Sequence, residues 1–128
     1  MPGSSKLPPV PRGHRSHCPV SCTLDILGDR WTLVVVRDLF FGCRRYGDFL
    51  ARPEGISTNL LAERLKRLED EGLVVASTYQ LHPKRYEYQL TDKGRELGPI
   101  LKAVAQWGKK HIAGTLTREE QLALAAGH

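Results

Sequence analysis

Ser57, Thr58 and Asn59 stand together at the head of a leucine-spaced run, and His82, Lys84 and Arg85 stand together between two strand-like stretches further on. The first trio is small, neutral and rich in hydrogen-bonding groups. The second is cationic, with His82 joining it below neutral pH. Asparagine pairs bidentately with adenine, threonine meets a thymine methyl, and lysine and arginine neutralise phosphate. Phosphate contacts position a protein on a duplex and base contacts specify the sequence, so the two trios together have the chemistry of a DNA reader. Lys66 and Arg67, further along the same run, suit backbone contacts. Arg64 falls beside the leucines, where it either contacts phosphate or pairs with an acid of its own chain.

The elements that must position these groups follow from local signals. Ser57 is a good N-cap, its hydroxyl satisfying an orphan backbone N–H. The helix it starts runs to about Glu71 and stops at Gly72. Leu60 at the third helical position rules out a capping box. At 100° per residue Leu60, Leu61, Leu65 and Leu68 share one face. Asn59, Glu63, Lys66 and Asp70 lie opposite, with Thr58 and Ala62 flanking that stripe on one side and Arg67 on the other. The helix dipole is positive at the tip that carries Thr58 and Asn59. The segment 57–71 nevertheless sums to a slightly negative charge, with Glu69, Asp70 and Glu71 at its far end. Cations that grip phosphate must therefore flank it: Arg44, Arg45 and Arg52 before, Lys84 and Arg85 after.

Leu73 to Gln80 is β-branched and apolar and reads as a strand. Arg85 to Thr91 alternates, with Tyr86, Tyr88 and Leu90 on one face and Arg85, Glu87 and Gln89 on the other. Leu81-His82-Pro83-Lys84 joins the two as a hairpin tip. A leucine-striped helix with mixed charges also fits ordinary core packing with a solvated face. The adjoining basic hairpin tips the reading toward a winged helix on DNA.

Upstream, residues 1–17 are rich in Pro, Gly and Ser and carry Lys6, Arg12 and Arg15 without an acid, which reads as a flexible basic arm. Pro19 can open a helix that ends at Gly28. A second helix is expected over Arg30 to Phe41; its valine run is ambiguous with a strand, but Arg30, Arg37 and Asp38 mark one polar side. A short third helix covers Tyr46 to Ala51, and Arg52-Pro53-Glu54-Gly55 turns the chain. Thr91 caps a last helix through about Ile112, which Pro99 bends or delays. Residues 113–128 form a tail with one more short helix around Glu119–Ala126. The fold class is α+β, mainly helical: a winged helix-turn-helix with a two-stranded wing, over residues 18–112.

The chain has 128 residues, 41% of them apolar, and a formal net charge of +5. That suits one globular domain and favours a polyanionic partner. No apolar run approaches the ~20 residues of a bilayer-spanning helix, and prolines interrupt any apolar leader at the N-terminus. The expected location is the cytoplasm, with no membrane association. Three cysteines do not suggest a disulfide framework. Cys18 and Cys22 are spaced to share a helix face. Cys18 precedes Pro19 at a helix start, where the dipole, Arg15 and His17 favour the thiolate. Cys43 beside Arg44 and Arg45 is a weaker candidate. His14, His17, Cys18 and Cys22 match no standard zinc spacing, so neither metal nor cofactor is expected. No nucleophile–base–acid set, phosphate loop or paired-carboxylate spacing suggests an enzyme.

Cys18-Pro19, Leu24 through Leu33 (Leu-Asp-Ile-Leu-Gly-Asp-Arg-Trp-Thr-Leu) and Arg37-Asp38-Leu39 resemble the opening of an HxlR-type transcriptional regulator, a branch of the MarR-like winged-helix proteins. Ile56-Ser57, Leu65, Leu68, Gly72-Leu73, Tyr86, Tyr88 through Thr91, Gly94, Pro99, Leu101 and Trp107 continue the resemblance in order, to about residue 112. It implies a homodimer built on the terminal helices, a double-stranded DNA operator and control of transcription. It also implies that Cys18 senses oxidants or electrophiles; the alternative is a small apolar residue at the dimer interface. A small-molecule or oxidant effector is thus among the expected partners. The family's usual Gly-Gly-Lys-Trp is Gly28-Asp29-Arg30-Trp31 here, which keeps the basic residue and replaces the second glycine. A competing function is a winged-helix protein–protein module without DNA binding, which would be expected to lack cations at the wing and helix tip.

Overall fold

The computed structural model describes residues 7–127; Lys6 of the expected basic arm lies outside them. The elements run α1 (Pro19–Leu27), α2 (Thr32–Phe40), α3 (Tyr46–Leu50), α4 (Thr58–Asp70), β1 (Val74–Leu81), β2 (Lys84–Leu90), α5 (Asp92–Arg95), α6 (Gly98–His111) and α7 (Arg118–Ala126). This is a mainly helical winged helix-turn-helix with one two-stranded antiparallel sheet.

The valine run resolves as helix. α2 buries Val35, Val36 and Leu39 at the centre of the core. It begins at Thr32, two residues later than expected at Arg30, because the Asp29 carboxylate accepts from the Trp31 and Thr32 amides at 3.0 and 3.2 Å and holds the preceding turn. α4 lays Leu61, Leu65 and Leu68 against α2, with Phe49 of α3 beside them. Burial of such side chains supplies about 1.5–3 kcal/mol each and is the main force that docks α4.

α4 ends as its glycine foretold. Gly72 takes a left-handed φ of 73°. Its amide reaches the Glu69 carbonyl at 3.0 Å and that of Leu73 reaches Leu68 at 2.8 Å, which closes the helix in a Schellman motif. The chain then enters β1 one residue later than Leu73. Val74 pairs with Leu90, Ala76 with Tyr88 and Leu81 with Lys84. The strands extend to positions 81 and 84, so the tip is His82 and Pro83 alone rather than four residues. Tyr88 and Leu90 are buried as the alternation implies, while Tyr86 is exposed where the wing leaves the body.

The single terminal helix expected over 91–112 is two. Thr91 caps α5 by accepting from the Gly94 amide at 3.0 Å. Gly94 packs so close that a Cβ there would sit 2.1 Å from the Leu73 carbonyl oxygen. Pro99 falls in the first turn of α6, the one helical turn where a missing N–H costs nothing, so regular helix restarts there. α6 buries none of its residues in the single chain. Ile100, Val104 and Trp107 along it stand exposed, Trp107 at 63%. α7 opens with a capping box between Thr117 and Glu120. Among the described residues no helix is long and apolar enough to cross a membrane.

Candidate nucleic-acid interface

Ser57, Thr58 and Asn59 are all exposed at the start of α4. The Ser57 hydroxyl accepts from the Leu60 amide at 3.2 Å, so it serves as the cap and leaves Thr58 and Asn59 as the outward groups. His82, Lys84 and Arg85 are exposed at the end of the wing. Lys84 extends over Tyr86, 5.6 Å from the ring centre. α4 and the wing line one cleft of about 310 Å³, with Ala62, Lys66 and Glu69 on one wall and Ala76, Tyr86 and Tyr88 on the other. The helix face and the hairpin are therefore presented on the same side of the molecule.

The other cations singled out by the sequence are differently placed. Arg44 donates to the Leu39 and Cys43 carbonyls, both at 3.1 Å, and so closes the end of α2. Arg45 stacks on Tyr79, 3.6 Å from the ring centre, and lies 3.5 Å from Glu87. Tyr79 is the extra residue of a β-bulge between Thr78 and Gln80; a bulge re-aims its side chain, here toward α3. Arg64 resolves as an intramolecular ion pair, its Nε donating to Asp29 at 2.7 Å with the side chain only 12% exposed. Arg67, 36% exposed, pairs with the same carboxylate at 3.1 Å. Lys66 is exposed, 3.4 Å from Asp70.

Two clusters hold the tip in place. Arg37 of α2 pairs with Glu54 through two hydrogen bonds of 2.8 Å. That contact pulls the Glu54 carboxyl down to about 2. Arg52, expected as a phosphate ligand, instead binds the buried Asp38 at 3.1 Å. The turn before α4 is thus bolted to α2 at both ends. The second cluster is Asp29. Burial works to raise its carboxyl, but the Thr32 hydroxyl, the Arg64 guanidinium and the Trp31 amide outweigh it and hold Asp29 well below the carboxylate range. Asp29 and Tyr79 are the partners of the site's arginines that sequence reasoning missed. An aspartate after a glycine is itself a turn signal, since its side chain can accept from the amide two residues on; the bulge at Tyr79 leaves no such mark.

Cys18 is exposed at the start of α1, while Cys22 is half-buried and its thiol donates to the Ser16 carbonyl at 3.2 Å. Desolvation, followed by the nearby Asp38 charge, pushes the Cys43 thiol up, opposite to what its arginine neighbours suggest. The end of the basic arm is engaged: His14 and Arg15 bind Asp25 at 3.1 and 2.6 Å. Among the described residues no three His, Cys, Asp or Glu side chains gather as metal ligands.

The HxlR-like helix-turn-helix model matches residues 26–115. An uncharacterized HTH-type transcriptional regulator of Mycobacterium tuberculosis is 41% identical over 93 residues, covering 73% of this chain. The chain spans 58% of that relative's length. A second such regulator, from Synechocystis, is 41% identical over 71% of this chain and 67% of its own. Among solved structures, the redox regulator HypR in its oxidized form superposes with a TM-score of 0.66 at 33% identity, over 73% of this chain and 97% of HypR.

Proposed function

The chain belongs to the HxlR-like helix-turn-helix family, and on that premise we propose that it is a homodimeric transcriptional regulator that binds a specific site in double-stranded DNA. One observation carries the reading. The exposed Thr58 and Asn59 open the helix whose Ala62, Lys66 and Glu69 share a cleft with Ala76, Tyr86 and Tyr88 of the wing, and the exposed end of that wing carries His82, Lys84 and Arg85. In this reading Thr58 and Asn59 meet base edges in the major groove, and Lys84 and Arg85 meet phosphate beside His82. Ser57, Arg44 and Arg45 shape the surface rather than touch the duplex, and Lys66 reaches backbone from the open stripe of α4. The exposed apolar stripe of α6 supports pairing of two copies, which would set two reading tips about one helical turn apart. An oxidant or electrophile is the proposed effector, acting at the exposed Cys18; HypR, at 33% identity, is named a redox regulator.

The neutralised arginines of α4 favour a second reading, a winged-helix module that binds protein and not DNA. Selection of bound duplexes from a randomised pool separates them. The DNA reading expects an inverted repeat to be enriched; failure to enrich any sequence would leave the protein–protein reading.

A further inference from the structure

Asp29 belongs neither to the helix tip nor to the wing, yet α2 and α4 are joined by charge at its carboxylate. One oxygen accepts from Arg64 Nε at 2.7 Å and the other from Arg67 Nη1 at 3.1 Å. Glu63 adds a second acid to both, at 2.8 Å from Arg64 and 3.9 Å from Arg67. Two of the three cations of α4 are thereby neutralised, and the third, Lys66, faces Asp70. A helix entering a groove with these pairs intact brings almost no free positive charge along its body. That matters because phosphate contacts add affinity for every sequence alike, while base contacts distinguish among them. Arg67 sits at the edge of the exposed stripe, and without the Asp29 charge only the longer 3.9 Å contact with the exposed Glu63 holds it from turning outward.

We propose that Asp29 is a specificity-determining residue, which withholds Arg64 and Arg67 from the DNA backbone so that the preference set by Thr58 and Asn59 is not diluted by sequence-blind contacts. The inference rests on the DNA-binding reading above. Asp29→Asn keeps an oxygen to accept the Trp31 and Thr32 amides and removes the charge.

The test is fluorescence anisotropy on a short duplex of randomised sequence across a salt series, with circular dichroism to check folding. Asp29→Asn should bind this duplex more tightly, and log K against log salt should steepen by about one to two, near 0.9 for each arginine released. Adding Arg67→Ala to Asp29→Asn should return about 0.9 of that slope, the share of one arginine, whereas Arg67→Ala alone should leave the parental slope unchanged. Arg67 is partly exposed, so this last variant stays informative even if Asp29→Asn folds poorly. A slope that falls by about one in Arg67→Ala alone, or one that Asp29→Asn does not steepen, would overturn the inference while DNA binding itself stands. No binding by the parent at low salt would overturn the DNA reading and the inference together.

Discussion

Asp29 and Arg64, thirty-five positions apart in the chain, meet through a 2.7 Å hydrogen bond that ties the start of α2 to the middle of α4. The same carboxylate accepts from the Trp31 and Thr32 amides and so holds the turn that leads into α2. One side chain thus fixes both where the central helix begins and how the candidate reading helix lies across it.

Asp29→Ala should lower stability by about 1–3 kcal/mol, from two lost hydrogen bonds to the Trp31 and Thr32 amides and the loss of the carboxylate that holds the largely buried Arg64 at Nε. Urea denaturation measures it; a loss below about 0.5 kcal/mol would mean the clamp is ornamental. The pH dependence has a fixed sign. Because the Asp29 carboxyl is depressed in the folded chain, its contribution is complete above the unfolded value of about 3.9 and fades as pH falls below it. Melting temperatures of the parent and Asp29→Asn should therefore converge in acid and differ by a constant amount between about pH 5 and 8.

Much of this arrangement was legible because its signals are local. Ser57 before a leucine stripe, Gly72 after it, and alternation ending at Leu90 each act within a turn or a strand. Pro99 marks an interruption that either bends the last helix or delays its regular start, and the fold shows the delay, with a separate α5 before a helix that restarts at Gly98. What the chain did not disclose depends on residues distant in sequence. That Arg64 faces Asp29 follows from how α4 lies against the start of α2, and that Arg52 faces Asp38 follows from where the turn after α3 meets α2. That Tyr79 lies under Arg45 follows from a register shift in β1, and a one-residue bulge has no signature in the alternation it interrupts.

The wing should act on affinity without acting on sequence. Arg85→Ala and Lys84→Ala should each weaken binding to all duplexes and reduce the salt slope by about 0.9. Anisotropy at several salt concentrations reads this directly. Parallel lines for parent and variants would remove the wing from the phosphate backbone.

Val104 lies on α6, 54% exposed in the single chain, and α6 contributes no buried residue to the core. Val104→Asp should leave the monomer folded and abolish self-association, because an unpaired carboxylate in an apolar interface costs several kcal/mol. Sedimentation velocity of the parent should give a dimer and that of the variant a monomer. Identical sedimentation would place any dimer contact elsewhere.

For Cys18, exposed where Cys22 is half-buried, diamide should release the parent and Cys22→Ser from DNA and leave Cys18→Ser bound. Release of Cys18→Ser at the parental dose would remove Cys18 from sensing.

The most direct measurement is the base preference of Asn59→Ala, read by sequencing duplexes selected from a randomised pool and compared with the parent. If the tip of α4 reads bases, the variant loses preference at one position in each half of an inverted repeat, a discrimination of about 1–3 kcal/mol, and keeps the rest. A preference identical to the parent's at every position would contradict the account, because the tip would then not touch the bases at all.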